Sequence, residues 1–434
     1  MKIGIVGGGV IGLVCGYLLS KNHQVTIIKK EELGGLTSSF KINNTYLEKY
    51  YHHFFTNDQN LTSLLKELEL GERIVFEKTK MAFFHNNKIH HFSTVKDLLK
   101  FQPLKLIERL KLGLMMFYLG KKRNWKAMDN INIKKWVSKN FGQRIYKLIW
   151  QPLLRGKFGN NQENISAAWL WGRIHPRYNS RKMGKEKLGY IMGSFRELFL
   201  KIEREIKSNK GNFIKKEVKN ISSVKDKKIQ ITTTDNSGYI FDKVIFTPAL
   251  PIFIKTIRDL PTNYINKLQQ IKYQSIICLC LRLKKKVSDI YWLNISDSKT
   301  KISGLIEHTN FIDEKTYNAN ILYVFRYLDA RDKDYQSSST ELFKSYCQEI
   351  KKIFPEFDES WVESFHFAKD QYATPIFNVG YSKQIPSFAT PMDNLYLITM
   401  AQIYPDDRNI NNSIGLVRKA FKIIQHSQEK ATHR

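Results

Sequence analysis

The 434-residue chain has few residues that could cross-link it and no segment long enough to cross a bilayer. Its four cysteines form no Cys-x-x-Cys pair and no Cys/His cluster, so neither a disulfide framework nor a metal site is predicted. The longest apolar run covers residues 112–119, whereas a membrane span needs ~20 residues. An apolar segment starts at the second residue and leaves no room for a secretion signal. We therefore predict a protein of a reducing, cytoplasmic compartment.

Acidic residues are also scarce, because 70 Lys and Arg stand against 40 Asp and Glu, a formal net charge of +30. Such an excess suits nucleic acid, an anionic membrane or an anionic substrate. The lysines are spread along the chain, and no nucleic-acid-binding motif is present, so no nucleic-acid partner is predicted. The hydrophobic content of 42% predicts a folded protein, and the length predicts two or three domains.

A glycine-rich motif lies near the N-terminus, between a predicted strand and a predicted helix. Residues 2–6 are apolar, and Gly7, Gly9 and Gly12 follow as Gly-x-Gly-x-x-Gly. In this motif the first glycine permits a tight turn, the second lets the backbone approach a pyrophosphate, and the third allows close packing of helix on strand. A second predicted strand, 24–28, follows at the βαβ distance. The motif therefore predicts a dinucleotide site at a helix N-terminus.

The expected ribose-binding carboxylate is missing from the end of the second predicted strand. Lys29 stands there, and the nearest carboxylates begin at Glu31. Two alternatives stay open at this point: Lys29 binds the 2′-phosphate of NADP, or Glu31 reaches the ribose from a shortened loop.

A glycine doublet, Gly34-Gly35, follows this strand and resembles the extended FAD fingerprint of the flavin amine oxidase and protoporphyrinogen oxidase superfamily. A backbone without Cβ atoms can lie flat against phosphates and a flavin ring. The resemblance implies FAD as the cofactor. It also implies an α/β fold, with a doubly wound, Rossmann-like FAD-binding domain and an interleaved α+β substrate domain.

The resemblance extends along most of the chain. Segments 152–159 and 165–169 resemble the substrate-domain segment of protoporphyrinogen-oxidase-like proteins, and 193–198 resembles their return helix. Segment 217–221 resembles the strand that touches adenine, which implies a backbone contact from Val218. The implied FAD-binding domain is discontinuous and covers 1–75, 191–265 and 386–434, and the substrate domain covers 76–190 and 266–385.

Near the C-terminus a buried strand is predicted over 394–402, followed by a helix from Asn411. In the superfamily an acidic residue ends this strand and binds FAD, whereas here Thr399 and Met400 occupy those places. The free amides of the helix start, at Asn411 and Ser413, would face the flavin and stabilise negative charge on the reduced ring. The same two side chains are also typical helix caps, and the two roles are compatible.

The stretch 52–58, which begins His52-His53, resembles a segment of UDP-galactopyranose mutases that lies beside the flavin. Adjacent residues of a strand point to opposite faces, so at most one histidine is expected to face the flavin, and we select His52. The alternative that both histidines are structural stays open. The resemblance keeps a flavin-dependent nucleotide-sugar mutase as an alternative function.

No catalytic triad is required, because a flavin accepts the hydride and the protein orients the substrate. The sequence groups several basic residues that either clamp a carboxylate or diphosphate or form a solvated face: Arg155, Lys157, Arg173, His175, Arg177 and Arg181. Among these Arg155 is the predicted catalytic residue, and Tyr404 and Arg408 are further pocket candidates.

These residues predict an FAD-dependent oxidoreductase that transfers a hydride to flavin from a hydrophobic or glycan-related substrate. Besides the mutase, a non-catalytic flavin-binding partner protein stays open, as does the oligomeric state.

An apolar helix is predicted from residue 104, edged by basic residues and followed by Lys121-Lys122-Arg123-Asn124-Trp125. Such a helix can lie in the headgroup layer of an anionic membrane with Trp125 at the interface, or pack in the core of the substrate domain. The first alternative predicts peripheral attachment to the cytoplasmic membrane face and a lipid-linked substrate.

Overall fold

A computed structural model of the chain describes residues 1–181, 186–257, 259–297 and 299–432, with side chains up to residue 424 in the last helix. The strands of this described part are β1 (Lys2–Val6), β2 (Gln24–Lys29), β3 (Ser39–Ile42), β4 (Thr45–Glu48), β5 (Phe54–Phe55), β6 (Ile74–Lys78), β7 (Met81–His85), β8 (Lys88–His91), β9 (Lys187–Ile191), β10 (Asn212–Lys215), β11 (Val218–Ser223), β12 (Ile229–Thr233), β13 (Gly238–Phe241), β14 (Lys243–Phe246), β15 (Tyr273–Leu283), β16 (Trp292–Ile295), β17 (Gly304–Glu307), β18 (Asn320–Leu328), β19 (Val362–Pro375) and β20 (Leu395–Leu397).

The α-helices are α1 (Val10–Ser20), α2 (Gln59–Glu67), α3 (Val95–Leu99), α4 (Leu106–Lys121), α5 (Lys126–Asp129), α6 (Ile133–Asn140), α7 (Gln143–Ile145), α8 (Gln151–Phe158), α9 (Ala167–Ser180), α10 (Arg196–Ser208), α11 (Leu250–Thr256), α12 (Thr262–Gln269), α13 (Lys333–Gln336), α14 (Ser339–Ile353) and α15 (Ile410–Thr432). Among these described helices, none combines the length and the apolar character that a bilayer crossing demands.

A five-stranded parallel sheet, in the order β10-β2-β1-β14-β20, forms the centre of the nucleotide-binding part. Its strands β1 and β14 are buried runs of aliphatic residues, as expected where helices cover both faces of a parallel sheet. Helix α1 makes the crossover from β1 to β2 and packs on α10 and α15. This arrangement confirms the predicted α/β class.

A second sheet of seven strands runs in the order β19-β15-β18-β17-β16-β7-β8. The long strand β15 pairs antiparallel with β18 and β19, and β16 pairs parallel with β7. Helix α14 covers one face, where Leu342, Tyr346 and Ile350 share a buried cluster with Leu279 and Val324. Most of the remaining helices, α3 to α9, lie between β8 and β9 and form the predicted helix-rich insert.

The strands of the parallel sheet fall in the ranges predicted for the FAD-binding domain, and those of the seven-stranded sheet fall in the substrate-domain ranges. A third sheet, β5-β9-β6, combines strands from both, and the expected boundary at residue 76 falls inside β6. The domain ranges themselves stay a prediction.

One expectation about local structure is wrong, and another stays open. The strand predicted over 394–402 is limited to β20, because the N–H of Thr399 donates to Oε1 of Gln402 (2.8 Å) and its hydroxyl donates to the carbonyl of Pro248 (2.9 Å), which starts a 3₁₀ turn. Trp125 is half-buried, and its ring centroid lies 5.3 Å from that of Tyr404. Its place at a membrane interface stays a prediction.

Candidate functional site

The turn between β1 and α1 requires glycine at two places. Gly7 has a φ of +106°, which side-chain-bearing residues rarely adopt. A Cβ on Gly12 would lie 2.0 Å from the carbonyl oxygen of Gly7, so only glycine lets the helix approach the strand this closely. The predicted turn and packing roles of these two residues fit this geometry.

Gly9 faces the Gly34-Gly35 doublet across a groove that no side chain fills. Gly9 and Gly34 form a parallel bridge, and the N–H of Gly34 donates to the carbonyl of Gly8 at 2.8 Å. The nearest atom to a Cβ on Gly9 would be the Cα of Gly35, 4.0 Å away. Helix α1 begins at this groove with no capping side chain and no acidic residue in its first turn, which leaves its positive end open to a pyrophosphate. The groove therefore fits a dinucleotide.

The side chain of Lys29 turns back over the glycine loop, and its Nζ donates to the carbonyl of Glu31 at 3.2 Å. Glu31 itself is exposed. Beside it, Lys30 pairs with Glu217 at 3.1 Å, which places Val218 and the start of β11 next to the end of β2. The proposed contacts of Glu31 and Val218 with the cofactor stay predictions.

The start of α15 corrects the predicted helix cap. The N-cap is Asn409, whose Oδ1 accepts the N–H of Asn412 at 2.8 Å. Asn411 instead accepts the N–H of Leu61 at 3.2 Å and ties α15 to α2, and the hydroxyl of Ser413 donates to the carbonyl of Asn409 at 2.9 Å. The cap motif Asn-x-x-Asn, two residues earlier than expected, is the sequence signal for this start.

Met400 is half-buried and packs against the core beside α15. Its expected contact with FAD stays a prediction, as do those of Asn411 and Ser413.

A cavity of about 890 Å³ lies beyond the glycine groove. Leu36, directly after the glycine doublet, lines it, and so do Asn409 and Asn412 at the start of α15. Aromatic rings make up much of its wall, including Tyr51, whose ring centroid is 5.1 Å from that of Trp292. The cavity is therefore an apolar chamber that adjoins the dinucleotide groove, as a substrate site requires.

His52 and His53 both line this cavity. They precede β5 rather than lie in it, so the strand alternation used to select one of them does not apply here. Which histidine faces the flavin stays a prediction. Nδ1 of His52 is 2.7 Å from the carbonyl of Tyr50, and Nδ1 of His53 is 3.0 Å from the hydroxyl of Tyr291. Burial lowers the pKa of His52 to about 4 and that of His53 to about 3, so both rings are neutral at pH 7.

Four cationic side chains of the cavity wall surround one carboxylate, and we call them the cationic cluster: Lys157, Arg173, Arg177 and Arg408. The carboxylate is Asp407, which pairs with Lys157 at 3.3 Å and with Arg173. Burial alone would raise the pKa of Asp407, but the charges of Arg173, Lys157 and Arg408 hold it well below its ordinary value. The structure thus brings Arg408 to the cavity, as predicted, and adds Asp407, which the sequence analysis missed.

Two predicted catalytic residues lie outside the cavity wall. Arg155 is on the same helix as Lys157, but two residues correspond to about 200° of rotation, so the two side chains leave α8 on opposite sides. The hydroxyl of Tyr404 donates to the buried carboxylate of Asp129 and to Ser166 at 3.0 Å, so this ring is part of the core. The structure thus places neither of these two side chains at the cavity.

Of the other basic candidates, Arg181 lines the cavity and pairs with Glu186 at 3.8 Å. His175 stacks on Trp171 with ring centroids 4.5 Å apart and is not part of the wall.

A buried acid that the sequence analysis missed lies behind the cavity. Glu48 accepts hydrogen bonds from the hydroxyl of Tyr190 and the N–H of Phe195, both at 2.7 Å, and its own carbonyl accepts one from Tyr323 at 2.6 Å. Burial raises the pKa of Glu48 to about 7 in spite of these bonds. Glu48 is the last residue of β4 and lies two residues before Tyr50, which lines the cavity.

Comparisons with known proteins place this geometry in context. The chain is similar to the 15-cis-phytoene desaturase of Solanum lycopersicum, with 21% identity over 383 residues that cover 82% of this chain and 65% of that protein. The chain thus spans 65% of the length of this relative.

Two solved structures share the fold. One is an Exiguobacterium sp. 255-15 protein provisionally assigned as a protoporphyrinogen oxidase, with a TM-score of 0.79 and 16% identity over 98% of this chain and 99% of that one. The other is reduced UDP-galactopyranose mutase, with a TM-score of 0.74 and 13% identity over 97% and 96%. At these identities the likeness establishes the fold alone. Because the profile of the flavin containing amine oxidoreductases matches residues 12–405, the chain belongs to that family and has FAD as its cofactor, as its glycine motifs predict.

Proposed function

We propose that the protein is an FAD-dependent oxidoreductase that transfers a hydride to flavin from a large, mainly apolar substrate held in the cavity. The observation that carries this proposal is the continuity between the glycine groove and the cavity. Leu36 follows Gly34-Gly35 directly and lines the cavity, so a dinucleotide in the groove and a substrate in the cavity would meet there.

When bound, FAD accepts the hydride, which is two electrons and one proton, and passes the electrons on to an acceptor. The protein supplies a chamber from which aromatic side chains exclude water. Tyr51 packs between Trp292 and Phe325, at centroid distances of 5.1 Å and 4.4 Å, and fixes this part of the wall. Such a wall orients an apolar substrate by shape rather than by hydrogen bonds.

His52 is the side chain placed to take a proton in this chamber. A carbonyl oxygen only accepts hydrogen bonds, so the contact with Tyr50 shows that Nδ1 carries the proton and leaves Nε2 unprotonated. With a pKa of about 4 the ring is a weak base, suited to accepting a proton only while the substrate loses its hydride.

The test is to release the ligand from denatured protein and identify it, and then to mix FAD-loaded protein anaerobically with candidate substrates. 15-cis-Phytoene in detergent and protoporphyrinogen represent apolar substrates of the kinds that the compared proteins are named for. Loss of the flavin's visible absorbance on mixing supports the proposal. Release of NADP, or of no nucleotide from protein that then fails to bind FAD, would contradict it.

A nucleotide-sugar mutase is the second candidate, because His52 and His53 both line the cavity and the fold matches UDP-galactopyranose mutase. A mutase needs flavin that is already reduced and returns it unchanged. Turnover of UDP-galactopyranose by dithionite-reduced protein, with no bleaching of the oxidised form by any substrate, would favour this function. Inertness in both assays would favour a non-catalytic flavin-binding protein.

A further inference from the structure

We infer that the cationic cluster binds a phosphate or diphosphate head group, so that the substrate is an amphiphile with an anionic end and an apolar body. This inference rests on the proposed function, because it takes the cavity as the substrate site. Three of the four cations reach the cavity from two elements, α8 with Lys157 and α9 with Arg173 and Arg177, and Arg408 precedes α15.

The cluster holds more positive charge than its own carboxylate neutralises. Asp407 is the one carboxylate among the cavity-lining residues that the structure describes, and it pairs with Lys157 and Arg173. Arg177 instead lies over the rings of Phe55 and Trp292, at 5.6 Å and 5.9 Å from the centroids.

The guanidinium group of Arg408 has a hydrogen-bond donor without a partner in the described chain. One of its terminal nitrogens donates to the hydroxyl of Tyr327 at 3.2 Å, but its Nε is buried and has no hydrogen-bond partner within the described chain. The three arginines of the cluster and Asp407 leave a surplus of two positive charges in a partly buried site, and Lys157 adds to this surplus when it is protonated. Buried charge without a counter-charge is costly, so a bound anion would stabilise this site.

The size of the surplus favours phosphate over carboxylate. A carboxylate carries one negative charge, whereas a diphosphate carries two to three, and guanidinium groups bind its oxygens in pairs. The rest of the cavity is apolar, with Phe83, Leu112 and Met116 in its wall. An anionic head at the cluster would therefore leave an apolar body among these side chains.

The state of Lys157 supports the same conclusion. Burial lowers its pKa to about 7, and the attraction of Asp407 offsets this only in part because Arg173 and Arg408 repel the charge. A bound phosphate would raise that pKa again. Anion binding at pH 7 is therefore expected to favour the protonated form of Lys157.

The experiment titrates FAD-loaded protein with inorganic pyrophosphate by calorimetry. We expect pyrophosphate to bind, and acetate to bind at least ten-fold more weakly. The double variant Arg177→Gln/Arg408→Gln should bind pyrophosphate at least ten-fold more weakly. Arg155→Gln, on α8 but outside the cavity wall, is the matched control and should bind as the wild type does.

FAD content and thermal midpoint are measured for each variant, so that loss of folding is recognised. Should the double variant fail to fold, the preference for pyrophosphate over acetate in the wild type decides the question. Acetate binding as tight as pyrophosphate binding, or equal binding by the folded double variant, would overturn the inference. Anaerobic bleaching of the flavin tests the proposed function independently of pyrophosphate binding.

A separate observation carries a second inference: we propose that α3 and α4 dock on an anionic membrane. Of the thirteen exposed large apolar side chains in the described chain, eight lie on or beside these two helices, and we call them the α3–α4 face: Val95, Leu99, Leu106, Ile107, Leu110, Leu114, Phe117 and Tyr118. The six on α4 fall within an arc of about 120° at 100° per residue, so they form one surface.

The opposite side of α4 is packed against the rest of the protein. Leu112, Met115 and Leu119 are buried, and Gly120 lets the helix approach α9 so closely that a Cβ there would lie 2.1 Å from the ring of Tyr178. The α3–α4 face is therefore not the core-facing side of this helix. An apolar surface of this extent marks an interaction site.

Charge identifies the partner as an anionic membrane. Residues 95–123 contain eight Lys or Arg and two acids, and both acids are engaged in helix capping, Asp97 with Thr94 and Glu108 with the N–H of Lys105. A basic rim around an apolar helix face is typical of interfacial helices that bind anionic lipid.

The cavity reaches the surface at this face. Val95 and Phe117 are more than half exposed and also line the cavity, and the ring of Phe117 lies 6.1 Å from that of Tyr178 in the cavity wall. A lipid-like substrate could thus pass from the bilayer into the cavity without crossing water.

Vesicle flotation tests this inference with phosphatidylcholine vesicles, with and without phosphatidylglycerol. We expect binding that needs the anionic lipid, weakens in high salt and falls at least ten-fold in Ile107→Glu/Leu114→Glu. Ile240→Glu, an exposed isoleucine of β13, is the matched control. Binding unaffected by the double variant, or a dimer in solution that the same variant dissociates while no vesicles bind, would overturn it.

Discussion

The Cα atoms of Gly9 and Gly35 face each other with no side chain between them, and a Cβ on Gly9 would meet nothing nearer than the Cα of Gly35 at 4.0 Å. The backbone at Gly9 is extended, with a φ of −77°, which valine adopts readily. The space beside Gly9 is thus left unfilled by the described chain and is open to a ligand.

We therefore expect Gly9→Val to lose FAD while the protein stays folded. The branched side chain would fill the groove where a pyrophosphate meets the backbone. In Gly12→Val, by contrast, the Cβ would lie 2.0 Å from the carbonyl oxygen of Gly7, and we expect a loss of about 2 kcal/mol or more in the free energy of unfolding. Flavin absorbance per protein and urea denaturation separate the two outcomes, with Gly71→Ala as the control. Normal flavin content in Gly9→Val would refute the assigned role of the groove.

Tyr404→Phe is expected to reduce stability without changing the site. The variant removes the hydroxyl that donates to Asp129, a carboxylate only 2% exposed, and leaves that carboxylate with fewer partners. We expect a loss of about 1–3 kcal/mol in the free energy of unfolding. Flavin content and pyrophosphate affinity should match the wild type, since Tyr404 does not line the cavity. A change in flavin content or in pyrophosphate affinity at unchanged stability would show that Tyr404 contributes to the active site.

Glu48→Gln should change how stability depends on pH. The folded protein keeps the proton on Glu48 up to about pH 7, whereas the unfolded chain releases it near the ordinary value of 4.5. A raised folded pKa gives stability that is present at low pH and is lost as the pH rises through this window.

The free energy of unfolding of the wild type, relative to Glu48→Gln, should therefore fall by up to about 3 kcal/mol between about pH 5 and about pH 8. Urea denaturation at several pH values measures it. Glu72→Gln, in an exposed turn, controls for a general effect of losing one carboxylate. A difference that grows with pH would show that Glu48 is ionised in the folded state.

The sequence predicted the nucleotide-binding part well, because its motifs are local. Gly7, Gly9 and Gly12 lie within six residues, and their roles depend on one turn and the helix that follows. The cavity wall depends instead on contacts between elements distant in the sequence. Asp407 meets Lys157 across 250 positions, and no spacing rule connects them.

The place of Arg155 and Tyr404 outside the cavity wall has the same origin. Arg155 and Lys157 are neighbours in the sequence but leave the helix in opposite directions, and Tyr404 has its partner Asp129 on another element. The sequence predicted both the apolar helix and its basic rim. Only the structure shows that α4 has a buried side and an exposed side, because the helix is apolar around much of its circumference.

Asp407→Asn is expected to destabilise the protein strongly and to make its stability depend on added phosphate. The variant leaves Lys157, Arg173 and Arg408 without their common counter-charge. Because the Asp407 side chain is 33% exposed, the cost is expected to stay below the ~3–5 kcal/mol of a fully buried ion pair. The folded pKa of Asp407 is depressed, so this stabilisation is present above the ordinary pKa and is lost only as the pH falls through the folded value.

Inorganic pyrophosphate should replace the missing charge and restore about 3 kcal/mol at a concentration of about 100 times its Kd. Thermal unfolding with increasing pyrophosphate measures this, and the midpoint should rise more in Asp407→Asn than in the wild type. An equal or smaller rise in the variant would mean that the anion does not bind beside Asp407.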